Sequence, residues 1–410
     1  MTTGDETADI VVAGGGMIGT SLALALAPLG LRVVVVEAVA RKAVQQPSFD
    51  DRTTALSRST QRMFEAIGIW DEVVAAATPI RHIHVSDKGR FGFSHIDADE
   101  QGVEALGYVV INRVLGNVLQ SHLNSAKGVT VRCPARVEAV AATAEDAVVT
   151  VAEDGETSRL RCKLLVAADG ARSTVRDLLG ITATASDYRQ RAIIGNLRSE
   201  KALNGRAFER FTPAGPLAVL PLADERAGFV WTVSADDAER VLALDDADFL
   251  AELQAEFGFR LGKFSRVGAR SAYPLVLSKA LRLTATRSVL IGNAAHGLHP
   301  VSAQGFNLGM RDVAALCDCI ADHCNKDSDP GCVAVLERYA QWRQADQKKL
   351  VHFTDSLVRI FASNRAGVRM LRDIGMIGFD LIPGVRSLFA KHTMGLAGEL
   401  PRLSRGVPIR

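Results

Sequence analysis

A glycine-rich turn near the start of the chain constrains its fold more than any other feature. The apolar run Ile10–Ala13 leads into Gly-Gly-Gly-Met-Ile-Gly and then into an alanine- and leucine-rich stretch, Thr20–Ala27. This is Gly-x-Gly-x-x-Gly between a strand and a helix. Gly14 permits the tight turn, Gly16 lets the backbone approach a pyrophosphate, and Gly19 lets helix and strand pack closely. The pattern predicts the first strand and helix of a dinucleotide-binding fold.

An acidic residue follows at the spacing that this fold requires. The second apolar strand, predicted over Leu31–Val36, ends in Glu37, which lies 23 residues after Gly14. At that distance dinucleotide-binding folds place a carboxylate that accepts hydrogen bonds from the adenosine ribose. We therefore expect Gly14, Gly16, Gly19 and Glu37 to bind a dinucleotide. The motif by itself does not separate FAD from NAD.

The same region could be mistaken for a membrane helix. Ile10–Leu31 carries no charge and is long enough to span a bilayer. A secretory signal begins with basic residues, whereas Asp5, Glu6 and Asp9 make this start acidic. Glycines also interrupt the run. We interpret it as the first βα unit of a soluble fold and expect no transmembrane span.

Charge and cysteine content argue against several other classes of protein. Lys and Arg total 48 against 46 Asp and Glu in 410 residues, so the formal net charge is only +2 and no overall field favours nucleic acid. No Cys-x-x-Cys pair is present, so we expect no metal site and a cytoplasmic protein with reduced thiols. The cysteines are Cys133, Cys162, Cys317, Cys319, Cys324 and Cys332.

Two further motifs follow the ends of apolar strands. Lys163–Ala168 reads as a buried strand and runs into Asp-Gly-Ala-Arg-Ser over Asp169–Ser173. Ser288–Ile291 reads as another and runs into Gly-Asn-Ala-Ala-His over Gly292–His296, with the loop His299–Asn307 behind it. A strand that ends in Asp-Gly commonly marks only a turn. Together with the first glycine motif, however, these segments indicate more than turns.

In these three motifs the chain resembles the flavoprotein aromatic hydroxylases, single-component FAD monooxygenases of the para-hydroxybenzoate hydroxylase type. The resemblance implies that the first glycine motif holds the ADP half of FAD and that Asp169 and Gly170 lie near the pyrophosphate and the NAD(P)H route. It implies that Asn293, where the family usually has Asp, accepts from a ribityl hydroxyl. The later loop would pass the isoalloxazine ring, with the following helix dipole stabilising negative charge there. The implied flavin contacts in this loop are Pro300, Gly305, Phe306 and Asn307.

Further segments along nearly the whole chain look like the ubiquinone-biosynthesis branch of this family. They are Phe49–Ser57, His84–Asp87, Gly107–Arg113, Gly205–Thr212, Gly215–Ala218, Leu261–Lys263 and Arg270–Leu275. The resemblance implies bound FAD, NAD(P)H and O2 as cosubstrates, and hydroxylation of the aromatic ring of a polyprenylated phenol. It matches Arg52 to a flavin-contacting arginine and Arg113 to a residue near the FAD ribose. Arg52 and Arg172 are candidate contacts for the phosphates of NAD(P)H.

No residue stands out as the catalytic base. His299 is our candidate for a catalytic polar group beside the flavin ring. Relatives usually have glycine where this chain has Ala303, so we expect weaker FAD retention if the backbone there has a positive φ. Three alternatives remain: the same chemistry at another ring position or on another phenol, a non-catalytic FAD-binding scaffold, and a non-flavin NAD-binding module.

The order of the motifs predicts an α/β protein with a discontinuous, Rossmann-like FAD-binding domain, a β-sheet substrate domain and C-terminal helices. The expected bounds are 1–75, 105–185 and 280–350 for the FAD-binding domain, 76–104 and 186–279 for the substrate domain, and 351–410 for the C-terminal helical segment. Within the substrate domain, Leu217–Leu222 and Gly228–Val233 read as a β-hairpin. A sheet that covers the flavin ring would close a substrate pocket between the domains.

The C-terminal segment combines cationic and apolar residues. Between residues 357 and 396, Leu, Ile, Phe and Met are mixed with six basic residues and two acidic ones. Such a surface can lie on an anionic membrane or dock a partner. Because a polyprenylated phenol resides in lipid, the resemblance implies peripheral membrane contact through 357–396, with other ubiquinone-biosynthesis proteins as partners. The alternative is a helix pair packed on the FAD-binding domain with a solvated basic face.

Overall fold

The computed structural model describes residues 6–40, 52–89, 93–223, 225–297, 304–327, 329–362 and 383–410. The strands are β1 (Glu6–Ala13), β2 (Val33–Val36), β3 (Thr53–Ser57), β4 (Thr78–Ile80), β5 (His82–Asp87), β6 (Phe93–Asp97), β7 (Gly107–Ile111), β8 (Val129–Arg132), β9 (Ala135–Ala142), β10 (Ala147–Glu153), β11 (Glu156–Ala167), β12 (Ala183–Ser199), β13 (Arg206–Thr212), β14 (Gly215–Pro221), β15 (Arg226–Ser234), β16 (Phe264–Val267), β17 (Ser271–Ala280), β18 (Thr284–Ala285), β19 (Ser288–Leu290) and β20 (His296–Gly297). The helices are α1 (Met17–Leu26), α2 (Arg58–Ile67), α3 (Trp70–Val74), α4 (Asn112–Ser125), α5 (Thr174–Leu178), α6 (Ala238–Ala243), α7 (Asp246–Phe257), α8 (Gln304–Asp327), α9 (Val333–Ala362) and α10 (Pro383–Thr393).

A parallel sheet forms the larger core. Its described strands follow the order β18-β19-β11-β1-β2-β8, with β10 and β9 continuing from β11. Strands β19, β11, β1, β2 and β8 are parallel to one another, whereas β18 and β10 pair antiparallel with β19 and β11. Strand β2 shows why this sheet forms, because its four valines are all buried. Continuous β-branched runs of this kind suit strands that are covered on both faces.

The first βα unit is confirmed, although its bounds differ from those that the apolar runs predict. Strand β1 begins at Glu6, because residues before the apolar run also pair with β11. Helix α1 begins at Met17 inside the glycine motif, since Gly16 caps it in extended conformation. It ends before Pro28, which lies in a short 3-10 turn.

A second sheet and two helices form another core. The nine described strands follow the order β20-β17-β12-β15-β14-β13-β5-β6, with β16 beside β12. The predicted hairpin is confirmed, because β14 and β15 pair antiparallel with Leu217 opposite Trp231. On one face of this sheet, Phe229 and Trp231 pack against Phe249 of α7. The aromatic side chains therefore join helices and sheet in a core separate from that of the parallel sheet.

A small antiparallel sheet, in the order β3-β7-β4, connects the two larger ones. Val109 of β7 packs with Ala207 of β13 and with Leu222, which follows β14. The second sheet therefore turns toward β3 and β7 the face that lies opposite α6 and α7. The α/β architecture with a further β-sheet unit agrees with the predicted fold, whereas the division into FAD-binding and substrate domains at the stated bounds stays a prediction.

The described part of the C-terminal segment packs on the rest of the protein. In and just after α10, Ala390 and Met394 are buried against Ile96 and Leu106. Arg386 forms an ion pair with Glu100 at 3.5 Å. Residues 363–382, which include much of the cationic stretch, lie outside the described residues. Among the helices that the structure describes, none is both long and apolar enough to cross a membrane.

Candidate cofactor and substrate site

The three glycine motifs meet at one edge of the parallel sheet. Ala13 at the end of β1 lies beside Ala167 at the end of β11, which in turn lies beside Leu290 at the end of β19. Each strand continues directly into one motif. Ligands of open α/β sheets bind outside the carboxyl ends of the strands. The fold therefore places segments that are far apart in sequence around one candidate site.

The first turn is built so closely that two of its glycines are required by the fold itself. Gly14 has a φ of +107°, and a Cβ there would lie 2.4 Å from the carbonyl oxygen of Ala168. A Cβ on Gly19 would lie 1.9 Å from the carbonyl oxygen of Gly14. Gly16, in contrast, has φ −67° and ψ −179°, an extended conformation that any residue adopts. The backbone angles at position 16 therefore do not require glycine, and the predicted approach of a pyrophosphate there stays a prediction.

Glu37 lies against this turn. One carboxylate oxygen accepts the Gly15 N–H at 2.6 Å and the other accepts the Val39 N–H at 2.7 Å. Each oxygen has a further lone pair that a ribose hydroxyl can use. The structure thus places the acid beside the glycines, and its contact with a ribose stays a prediction.

The second motif forms a loop closed by its own aspartate. Asp169 accepts the Ser173 hydroxyl at 2.5 Å and the Val175 N–H at 3.0 Å, and Ser173 in turn caps α5. Gly170 has a φ of +87°, which favours glycine. Arg172 lies in the same loop and is exposed. The carboxylate therefore shapes the loop, while the predicted pyrophosphate and NAD(P)H contacts remain untested.

The third motif turns on Gly292, whose φ is +58°. Its N–H donates to the carboxylate of Asp312 in α8 at 2.9 Å. Asn293 comes next and is exposed at the sheet edge. The turn is thus held from behind by a buried acid, while the side chain predicted to meet the ribityl chain faces outward.

Asp312 is the centre of a buried group of charges that we call the Asp312 cluster, formed by Asp312, His296, Arg343, Asp346 and Arg311. The Asp312 carboxylate lies 2.6 Å from His296 Nε2 and accepts Arg343 Nε at 2.7 Å. Asp346 also pairs with Arg343 and accepts from Arg311 at 2.9 Å. Burial raises the pKa of Asp312, but His296 and Arg343 outweigh burial and bring that pKa down to about 2. The cluster fastens α8 and α9 behind the third motif.

The beginning of α8 lies near the same edge. A Cβ added to Gly305 would meet no atom of the described residues within 4 Å. Phe306 packs partly buried against the main core. The Asn307 amide donates to the Ala55 carbonyl at 2.9 Å and accepts the Ser57 N–H at 2.8 Å. Its side chain therefore ties α8 to β3, a role that the sequence did not suggest.

Arg52 and Arg113 come together where β3 meets β7. The Asn112 N–H donates to the Arg52 carbonyl at 2.8 Å, and Arg113 follows in the exposed first turn of α4. The Arg52 guanidinium lies 4.8 Å from the ring centroid of Tyr273 in β17. This cation–π contact joins the beginning of β3 to the second sheet. The two arginines therefore lie at the junction of the sheets.

Two of the predicted residues lie outside the described residues. They are His299, the candidate catalytic group, and Pro300, and Ala303 also falls in this gap between 297 and 304. The other predicted cofactor residues are all described, and they lie at the strand ends, at the beginning of α8 or at the junction of the sheets.

The profile of the FAD binding domain family matches residues 7–354. This match includes all three strand-end motifs and most of the chain. The chain belongs to this FAD-binding family. The site fits the cofactor, because the tight glycine turn after β1, the Glu37 carboxylate held against it and the beginning of α8 lie at one edge of the sheet.

Relatives within the FAD-binding family identify the branch. Ubiquinone hydroxylase UbiL of Rhodospirillum rubrum is 38% identical over 409 residues, which cover 99% of this chain and 94% of that protein. The 3-demethoxyubiquinol 3-hydroxylase of Escherichia coli is 32% identical over 396 residues, which cover 96% of this chain and 100% of that protein. The chain is therefore an FAD-dependent monooxygenase of the ubiquinone-hydroxylase branch, and the predicted resemblance is confirmed.

A solved structure shares the fold of this FAD-binding family member. The p-nitrophenol 4-monooxygenase PnpA of Pseudomonas putida DLL-E4 superimposes with a TM-score of 0.80 and covers 96% of this chain and 99% of its own. Its sequence identity is only 20%, so the likeness concerns the fold. The predicted α/β fold class with a β-sheet unit is confirmed.

Sequence reasoning missed three residues that the folded structure makes notable, two behind the third motif and one on the second sheet. Asp312 and His296 lie at the two ends of the third-motif region, and only the folded chain places them in contact. Glu209 lies in β13 on the same strand face as Ala207, whereas Phe208 and Arg210 point to the other face. The alternation of a strand was the available sequence signal, because it separates this acid from the neighbouring arginine.

Proposed function

We propose that the protein is an NAD(P)H- and O2-using hydroxylase that acts on a polyprenylated phenol, 2-octaprenyl-6-methoxyphenol, in ubiquinone biosynthesis. The main support is the convergence of the three motifs at one sheet edge in a chain that matches ubiquinone hydroxylases along nearly its whole length. Both relatives carry ubiquinone-pathway names, which supports the pathway. The particular phenol follows from the sequence resemblance.

The residues for holding FAD are assigned from their positions. Gly14, Gly16 and Glu37 would hold the ADP half, and Asn293 would meet the ribityl chain. The beginning of α8 at Gly305 would lie beside the ring system, where the positive end of the helix dipole favours negative charge. Bound FAD supplies electron transfer from NAD(P)H and activation of O2. The protein's own task is to hold the phenol against the ring and keep water away.

The face of the second sheet that lies opposite α6 and α7 supports a phenol site. Its half-buried side chains include Val85 of β5, Ala218 of β14 and Val230 of β15. These residues are paired across neighbouring strands on the side that faces β3 and β7. An apolar wall with few polar groups is typical of pockets for small aromatic ligands. We assign this wall to the substrate ring.

The activity is tested with purified FAD-loaded protein. Under anaerobic conditions we expect NAD(P)H to bleach the visible flavin absorption. With O2 and 2-octaprenyl-6-methoxyphenol, we expect a product that has gained one oxygen atom, measured by mass spectrometry. A protein that stays yellow with both NADH and NADPH would be a flavin-binding scaffold, and a colourless one would point to a different nucleotide.

A second candidate function is hydroxylation at another position of the same ring. The Escherichia coli relative, which aligns over its full length, is named as a 3-hydroxylase of 3-demethoxyubiquinol. Supplying that quinol to the same assay decides between the two candidates. The precursor that accumulates in cells without the protein then reports the substrate used in vivo.

We further propose that the enzyme reaches its lipid-borne substrate through residues 357–396, with other ubiquinone-biosynthesis proteins as partners. A basic residue close to an anionic leaflet contributes about 1 kcal/mol. We expect the protein to float with anionic liposomes, and the triple change of Arg365, Arg369 and Arg372 to Gln to reduce flotation. The matched control changes Arg240, exposed on α6, to Gln. If the triple variant floats like wild type and keeps its pathway partners, the segment has only a structural role.

A further inference from the structure

Glu209 lies on the face of the second sheet that turns toward β3 and β7. Successive side chains of a strand point to opposite faces. In β13, Phe208 belongs to the core under the helices, whereas Ala207 packs with Val109 of β7. Glu209 is two residues after Ala207 and therefore shares its face. This face is the wall that we assign to the substrate ring.

The surroundings of Glu209 are apolar. Strand register places Val85 of β5 on one side of it and Ala218 of β14 on the other. The side chain keeps some accessible surface although protein encloses it deeply. Within the described parts of the chain it forms no hydrogen bond or ion pair. Buried polar groups without partners are uncommon in native proteins, and this carboxyl keeps accessible surface on the wall that we assign to the substrate ring.

Burial raises the pKa of Glu209 to about 7. Strand β14 carries no charged residue, and β3 and β7 contribute only Tyr108, which packs against Trp70. The other titratable or charged residues of β5 and β13 are His82, His84, Asp87, Arg206 and Arg210, and α9 also contacts β13 and β14. By sequence, α9 carries the following titratable or charged residues: Glu337, Arg338, Tyr339, Arg343, Asp346, Lys348, Lys349, His352, Asp355 and Arg359. A carboxyl with a pKa near neutrality is suited to exchange a proton with a phenol.

We propose that Glu209 is the catalytic base that accepts the phenolic proton of the substrate. The inference rests on the proposed function. In this step the phenol O–H bond breaks, its electron pair stays on the phenol oxygen, and the proton forms a bond to a Glu209 carboxylate oxygen. No electrons are transferred to or from the protein. The resulting phenolate is a more nucleophilic ring, which favours attack on an electrophilic oxygen.

The test uses FAD-loaded Glu209→Gln, which keeps the size of the side chain and removes its acid–base function. A general base contributes about 100-fold or more to a rate. We expect single-turnover hydroxylation of 2-geranyl-6-methoxyphenol to fall by about that factor at pH 7.5. We expect the wild-type rate to rise with pH through an apparent pKa of about 7, as Glu209 loses its proton. In Glu209→Gln we expect this rise near pH 7, the acid limb of the pH profile, to disappear. The rate of the variant then rises only as the phenol itself ionises, at about pH 10.

Two further variants separate a proton-accepting role from a structural one. Glu209→Asp keeps the acid limb of the pH profile at a lower rate. Glu239→Gln changes an exposed glutamate of α6 on the opposite side of the sheet and leaves the rate and the profile unchanged. In all variants we expect wild-type FAD content and wild-type anaerobic reduction by NAD(P)H.

The possible outcomes are distinguishable. If Glu209→Gln hydroxylates at the wild-type rate with the wild-type acid limb, Glu209 is not the base. If it loses FAD or slows flavin reduction to the same extent as hydroxylation, its role is to support the cofactor site and the proposal is wrong. If wild type is reduced normally but never hydroxylates the phenol, the proposed function fails and this inference fails with it.

Discussion

We expect Asp312→Ala to lower the free energy of unfolding by about 3 kcal/mol, because it removes one of the two carboxylates that pair with buried Arg343 and leaves only Asp346. Arg343 is 2% exposed and would lose the carboxylate that accepts from its Nε. The Gly292 N–H would lose its acceptor as well. Urea unfolding of the FAD-free protein at pH 7 measures the change without a contribution from cofactor binding.

The matched control lies in the same helix. Asp322 pairs with Arg338 and Arg402, but its side chain is 29% exposed. Exposed pairs of this kind contribute about 0 to 1 kcal/mol, so we expect Asp322→Ala to have a small effect. Equal losses in the two variants would contradict the assignment of the Asp312 cluster as a buried, mutually dependent group.

The pH dependence of stability follows from the same carboxylate. Its pKa of about 2 in the folded protein lies below the value of about 4 for an aspartate in an unfolded chain. The stabilisation is therefore complete above about pH 4 and is lost as the pH falls toward 2. We expect the free energy of unfolding of Asp312→Ala to fall less than that of wild type as the pH is lowered from about 4 toward 2. Urea unfolding of both proteins at several pH values measures this difference.

Gly16→Val is expected to yield a folded but colourless protein. The backbone at position 16 is extended, so valine is tolerated there, and its side chain instead occupies the space of the pyrophosphate. We expect FAD binding to weaken at least about 100-fold, equivalent to about 2.8 kcal/mol. Flavin absorption of the purified protein and titration of the FAD-free protein measure the effect.

A neighbouring glycine gives the contrasting case. Gly14→Ala places a Cβ against the Ala168 carbonyl in a backbone conformation that favours glycine, so we expect it to destabilise the fold as well. Thermal unfolding of both FAD-free variants separates the two effects. A Gly16→Val protein that purifies with a full complement of FAD would show that the cofactor binds elsewhere.

Sequence patterns predicted the parts of the site that depend on neighbouring residues. A strand, a glycine turn and a helix in succession require only local spacing, so the motifs at Gly14, Asp169 and Asn293 were found before their arrangement was known. Parallel pairing then places them together, because βα units put successive strand ends at one edge.

The parts that depend on distant contacts were not predictable. The contact between His296 and Asp312 needs α8 to pack behind the third motif, and Arg343 reaches them only from the next helix. Asn307 was predicted as a cofactor residue from its position in the loop, yet its amide is used to hold β3. The spacing of residues along the chain does not reveal which distant group forms hydrogen bonds with such a side chain.

The separation of the two cores bears on how enzymes of this construction diverge. One core supports the strand ends of the parallel sheet, whereas the other lies between the second sheet and helices α6 and α7. A replacement on the face of β13, β14 and β15 that lies opposite α6 and α7 alters the wall assigned to the substrate ring. It leaves the packing beneath the glycine turns undisturbed. New ring selectivity is thereby accessible through few mutations while flavin binding is inherited intact, and selection can act on the two properties independently.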